Sequence, residues 1–133
     1  MDHNIDYLQN VGQIVSKFRF EGESQPVIHI GTGVLYHQIS IKLFTLLTSA
    51  DNFVKFGRNS NKSLIITQVR PNDSRFYLQR SGLTQYKIEC TSIKITVHPE
   101  YYDQGPEQPI HCGANIALAV VEITDPRFRQ DQF

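Results

Sequence analysis

Apolar residues near the start of the chain recur at helical spacing. Ile5, Leu8, Val11, Val15 and Phe18 follow one another at steps of three, three, four and three, with Asp, Asn, Gln and Lys between them. That spacing places them on one helix face and predicts about four turns. The stretch 1–25 therefore reads as an N-terminal arm, helical in part, that packs on the domain or docks a partner. Gly22-Glu23-Ser24-Gln25-Pro26 breaks the pattern as a loop.

Beyond this loop the apolar runs shorten and the period changes. Val27, Ile28 and Ile30 lead into Gly31-Thr32-Gly33 and then Val34, Leu35 and Tyr36. The run 41–47 reads Ile-Lys-Leu-Phe-Thr-Leu-Leu, and 64–69 reads Leu-Ile-Ile-Thr-Gln-Val before Arg70-Pro71 and the turn formers Asn72-Asp73-Ser74. Phe76-Tyr77-Leu78 is short and aromatic. Ile93, Ile95 and Val97 alternate with Lys94 and Thr96, the period of a half-buried strand. The stretch 115–123 is nearly all apolar and predicts a strand buried on both faces, after a polar Gly/Pro loop over 99–109. About six or seven short strands, with little helix after residue 25, indicate an all-β sandwich or barrel.

With 133 residues the chain forms about one domain and can bury a real core without disulfides or a metal. Apolar residues at 40% and charged residues at 20% exclude a disordered chain. Lys plus Arg and Asp plus Glu stand at 13 each, so the basic excess of a nucleic-acid binder is missing. Zero net charge also gives weak colloidal protection and favours association. No apolar window is long enough for a membrane helix. The opening Met1-Asp2-His3-Asn4-Ile5-Asp6 carries acids where a signal peptide needs bases, so a cytoplasmic chain is the default expectation.

Candidate chemistry outside these patterns is sparse. Cys90 and Cys112 allow one disulfide but not a disulfide scaffold, and whether they pair is left open. Together with His98 and His111 they supply zinc-ligand types, but no Cys-x-x-Cys pair is present and the spacing is irregular. They read as ordinary loop residues, and neither a metal nor a cofactor is expected. Asn61-Lys62-Ser63 and Asn72-Asp73-Ser74 match the glycosylation pattern and read as turns. Gly31-Thr32-Gly33 lacks the Lys of a phosphate loop and reads as strand packing. Lys55, Arg58, Lys62, Arg70, Arg75 and Arg80, with Phe53 and Phe56 among them, read as a solvated face rather than a nucleic-acid surface.

Three segments in this order resemble the first half of a trypsin-like (chymotrypsin-fold) serine peptidase. Gly31-Thr32-Gly33-Val34-Leu35 resembles the early Gly-rich strand, and Leu46-Leu47-Thr48-Ser49-Ala50-Asp51-Asn52 resembles the Leu-Thr-Ala-Ala-His-Cys segment. Ile95-Thr96-Val97-His98-Pro99-Glu100-Tyr101, followed by Asn115-Ile116-Ala117-Leu118, resembles the His-Pro-x-Tyr loop and the Asp-Ile-Ala-Leu strand. The resemblance covers 26–124. It implies a single six-stranded Greek-key barrel there, between the arm at 1–25 and a tail at 125–133.

The departures from that family are chemical. Its general base is the His of Ala-Ala-His-Cys, and the Asp before Ile-Ala-Leu orients that His; here the two positions are Asp51 and Asn115. An imidazole titrates near neutrality and can relay a proton, whereas a carboxylate with a reference pKa near 3.9 is a poor match. A neutral Asn cannot stabilise an imidazolium. No Gly-Asp-Ser-Gly nucleophile segment occurs, and the chain reaches Phe133 before a second barrel could form. The family also pairs a Cys before the Gly-rich strand with one after the His; those positions are assigned here to Ile30 and Asn52.

The resemblance thus implies a non-catalytic, pseudo-peptidase binding or structural module. A protein partner or a second copy would cover the face that a second barrel normally covers, with no role for nucleic acid or membrane. Two alternatives stay open. One is a truncated or partial copy of a trypsin-like endopeptidase. The other is an unrelated small all-β ligand-binding domain, which gives no reason for Asp51 and Asn115 to meet.

Overall fold

A computed structural model describes residues 10–80, 84–103 and 113–129. It contains eight strands in chain order: β1 (Val11–Phe18), β2 (Val27–Gln38), β3 (Leu43–Thr48), β4 (Val54–Arg58), β5 (Leu64–Gln68), β6 (Ser74–Arg80), β7 (Tyr86–Val97) and β8 (Ala117–Glu122). Short 3-10 turns cover Ala50–Asn52, Pro71–Asp73 and Pro99–Asp103. No helix among the described residues is long and apolar enough to cross a membrane.

Six strands close into an antiparallel barrel in the order β1-β2-β3-β8-β7-β6, with β6 returning to β1, while β4 and β5 form a separate two-stranded ribbon. Strands β1, β2 and β3 follow one another as neighbours, and β6 comes back to lie beside β1. The spatial order of these four is that of a Greek key. Closure satisfies the barrel's backbone groups internally, so the barrel itself has no open edge.

The expected N-terminal helix is not formed over the described part of the arm. Residues 11–18 are strand β1, which pairs with both β2 and β6 and closes the barrel. The separate arm expected over 1–25 is therefore corrected here: the barrel begins at Val11. Ile5 and Leu8 lie outside the described residues. The physical reason is visible in the burial. Ile14, Ser16 and Phe18 are buried on the inner face, and Gly12 shares it; Val11 and Val15, two of the five residues that suggested a helix, point outward and are half covered. Small inward residues hid an alternation that β-branched Val and Ile favour.

The core follows the inward parity of each strand, with Ile14, Leu35, Phe44, Leu46, Phe76, Leu78, Ile88 and Val121 almost fully buried. Gly33 belongs to this layer. A Cβ there would lie 2.9 Å from both Ile14 Cδ1 and Leu46 Cδ1, so the Gly-rich segment serves close packing. A bulge between Ser92 and Lys94 resets the parity of β7, which leaves Ile93 exposed while Ile88, Cys90 and Val97 face inward. The tail contributes as well: Phe128 meets Phe44 edge-on at 5.4 Å, and the Arg80 guanidinium lies 5.6 Å from the Phe128 ring.

The strand expected to be buried on both faces corrects in an informative way. In β8 the residues Ala117, Ala119 and Val121 are buried, while Leu118 and the preceding Ile116 are exposed. The outer face of this part of the barrel is therefore apolar and uncovered.

Candidate functional site

Cross-strand register sets the site. Thr48 at the end of β3 pairs with Ala117 at the start of β8, so the turn Ala50–Asn52 that leaves β3 meets the segment that enters β8. The structure thereby brings together the two residues singled out as degenerate catalytic positions. The backbone N–H of Asp51 donates to Asn115 Oδ1 at 3.1 Å. Asp51 is half-buried, and its Oδ1 atom is buried with no hydrogen-bond partner among the described residues. Burial pulls the Lys55 amine below its ordinary value, opposed by the charge of Asp51, and this amine sits 5.6 Å from the Phe18 ring centre.

Asn52 is the polar centre of the turn. It is buried, its Nδ2 donates to Thr48 Oγ1 at 2.7 Å and to Ser49 Oγ at 3.1 Å, and its Oδ1 lies 2.9 Å from His29 Nε2. Thr48 Oγ1 in turn donates to the carbonyl of Thr32 at 2.7 Å. That bond uses the only hydroxyl proton of Thr48, so Thr48 can only accept from Asn52. The amide is thus oriented with Nδ2 toward Thr48 and Oδ1 toward His29, whose Nε2 must carry the proton. The network ties the turn to β2 on two sides.

The strand residue that faces Asn52 is Gly31, not Ile30. The three atoms nearest to a Cβ built at Gly31 all belong to Asn52, and Oδ1 would overlap it. Ile30 lies on the opposite face of β2 and is 59% exposed. The sequence assignment of Ile30 opposite Asn52 is therefore corrected by one residue. Alternation along a strand makes that shift a change of face.

His98 has a turn-forming role in the structure. Its Nδ1 accepts the N–H of Glu100 at 3.1 Å, its carbonyl accepts the N–H of Tyr101 at 2.9 Å, and its own N–H donates to the carbonyl of Ile116. It also borders a shallow groove of about 430 Å³, whose walls include Tyr36, Leu47, Pro99, Ile116 and Leu118. Val34, Leu47 and Leu118 stand in one cross-strand row, which Thr96 extends on β7, so the apolar face spans four strands. None of the residues lining this groove is acidic, and none is Lys or Arg.

The remaining candidates fall elsewhere. Cys90 is a free thiol inside the barrel, and burial pushes it up to about 12. His111 and Cys112 lie outside the described residues, so the question of their pairing or ligation does too. Among the described residues no three His, Cys, Asp or Glu side chains gather. Asn61-Lys62-Ser63 forms the β4–β5 turn, with Lys62 at φ 63° and Asn59 Oδ1 accepting the N–H groups of Asn61 and Ser63. Asn72-Asp73-Ser74 runs from the second 3-10 turn into β6, and Asp73 pairs with Arg19 at 3.1 Å. The cationic and aromatic residues are dispersed: Phe53 is fully buried, Phe56 packs on Tyr101 at 5.3 Å, and Arg75 pairs with Glu89.

Sequence reading missed His29, took Gly31 only as part of the Gly-rich strand and took Asn52 only as a lost cysteine. Strand parity held the missing signal, because His29 and Gly31 share the face opposite to Ile30. Comparison of the chain with protein-family models, curated proteins and solved structures finds no match.

Proposed function

We propose that this chain is a non-catalytic, trypsin-like barrel module that binds a protein partner through the apolar face around Leu47, Ile116 and Leu118. The observation that carries the reading is the contact of Asp51 with Asn115 at the rim of a closed six-stranded Greek-key barrel. Two residues sixty-four positions apart, singled out by their place in a motif order, are in contact, which supports the reading.

The chemistry of the pair argues against proton relay. Asp51 offers a carboxylate, a residue type poorly matched to taking a proton from a hydroxyl nucleophile and returning it to a leaving amine. Asn115 Oδ1 accepts the Asp51 N–H, and a neutral amide offers no charge to an imidazolium. His29, the nearest imidazole in the network, has its Nε2 committed to Asn52. The Asn52–His29 bond joins the same two segments that the resembled family joins with a disulfide. This fits a chain that keeps the barrel's architecture while its catalytic chemistry is gone.

What remains on offer at the rim is surface. Leu118, Ile116 and Tyr36 stay exposed beside the turn, although burial of apolar area is the main favourable term in folding and association. A uniform apolar row without charged residues suits a partner's apolar surface better than a charged polymer. The test of the non-catalytic half is labelling of the full chain, and of its Asp51→His variant, with a fluorophosphonate probe. No labelling of either is expected. Stoichiometric labelling of the unmodified chain would overturn the reading.

A further inference from the structure

The β4–β5 ribbon carries a second interaction device, independent of the apolar face. Among the described residues strand β5 pairs with β4 alone, which leaves its other edge without a strand neighbour there. Which backbone groups face that edge follows from the ladder. The N–H of Asn59 donates to the carbonyl of Ser63, and the N–H of Val69 donates to the carbonyl of Phe53. These hydrogen-bonded pairs bracket the ladder. Antiparallel alternation then places Gly57–Ile65 and Lys55–Thr67 in the hydrogen-bonded class as well. Leu64, Ile66 and Gln68 consequently aim their N–H and C=O groups away from β4. Among the described residues no backbone hydrogen bond engages these outward groups.

Native edges are normally blunted by charge, by Pro or by a covering element. This edge reads Leu64-Ile65-Ile66-Thr67-Gln68, with no charge, no Pro and no Gly, and Leu64 and Ile66 are exposed. We propose that β5 pairs antiparallel with β5 of a second copy of this chain, about a two-fold axis at Ile66, to build a continuous four-stranded sheet. The register is self-complementary. With Ile66 opposite Ile66 and Leu64 opposite Gln68, every outward group meets an outward group, giving about six backbone hydrogen bonds. Two Ile66 side chains then lie side by side with the Leu64 side chains diagonal to them, and this covers apolar surface on both copies. The paired segment 64–68 holds no charged residue, so no like charges meet within it, while the same register sets Lys62 opposite Arg70 just beyond its ends; a chain of zero net charge carries no net repulsion against its own copy.

The test is native mass spectrometry with sedimentation across a hundredfold range of concentration, on the full chain and three variants. The unmodified chain is expected at twice the 15.3 kDa chain mass at the upper end of the range. Ile66→Lys sets two ammonium groups against each other and is expected to raise the dimer dissociation constant about tenfold or more. Ile66→Pro removes only an outward N–H, spares the β4 ladder and is expected to do the same. Leu118→Glu is expected to leave the dimer intact, so this proposal and the partner face fail separately. In a Cys112→Ser background, Ile66→Cys is expected to cross-link in the dimer with a short bismaleimide, and Ser60→Cys is not. A chain that stays monomeric throughout would overturn the proposal. So would a dimer indifferent to both Ile66 variants, or a β5 edge held by a different protein's strand.

Discussion

Replacing Gly31 and Asn52 together by cysteine tests the local geometry of the turn against β2. A Cβ built at Gly31 lies 2.6 Å from Asn52 Cγ, one bond from Asn52 Cβ, so the two Cβ atoms are no more than about 4 Å apart and a disulfide can reach between them. Ile30, on the outward face, cannot reach. Loss of the Asn52 side chain removes its bonds to Thr48, Ser49 and His29. At about 1 kcal/mol each, the reduced Gly31→Cys/Asn52→Cys chain is expected to be about 2–4 kcal/mol less stable than the unmodified one. Closing the bridge restricts a loop of about 21 residues (52 − 31) in the unfolded chain, worth about 3 kcal/mol. The oxidised variant should therefore return close to the stability of the unmodified chain, while its reduced form melts roughly 10 °C lower. Urea unfolding with and without reductant, in a Cys112→Ser background, measures both states. Thiol titration is expected to show a bridge in Gly31→Cys/Asn52→Cys and none in Ile30→Cys/Asn52→Cys. A bridge in the second pair, or free thiols in the first, would refute the placement of the turn against β2.

Gly33→Val forces methyl groups into Ile14 and Leu46 and is expected to cost about 1–3 kcal/mol in urea unfolding. Cys90 should resist maleimide in the native state and react at the rate of unfolding, since a thiol pushed up to about 12 has almost no thiolate near neutrality. Its raised value also ties stability to alkaline pH. The contribution is intact below the unfolded thiol's value near 8.5 and is lost as pH rises from there toward about 12, so a Cys90→Ala chain should show a shallower alkaline decline. Arg19 holds the Asp73 carboxyl below its usual range, chiefly by hydrogen bonding. That contribution is present above the unfolded carboxyl's value and is lost as pH falls through the folded one, so Arg19→Ala should lower stability slightly near neutrality and show a shallower decline toward acid in urea unfolding.

The all-β barrel was legible because it rests on local pattern, although the expected six or seven strands are eight in the structure. Apolar runs mark β2, β3, β5 and β8 directly, with Pro26 before β2 and Pro71 after β5 as punctuation. Strand β1 was not legible as a strand, since Gly12 and Ser16 fill inward positions that periodicity reads as polar. The error at Ile30 has the same root: a motif aligned one residue off changes nothing in a sequence comparison but reverses the face in a sheet. The Asn52 network was invisible because its partners, His29, Thr32 and Thr48, come together only through the β2–β3 pairing. The exposure of Leu118 and Ile116 was hidden too, because a run of apolar residues looks the same whether its outer face is covered or bare.

The partner face is the centre of the account, and one measurement addresses it most directly. It is native mass spectrometry of the chain isolated from its own cells, in three forms: unmodified, Ile66→Lys and Leu118→Glu. The predicted result is an assembly heavier than the 15.3 kDa chain that persists in Ile66→Lys and falls apart in Leu118→Glu. An assembly indifferent to Leu118→Glu, or an unmodified chain found only as itself or as its β5-linked dimer, would contradict it.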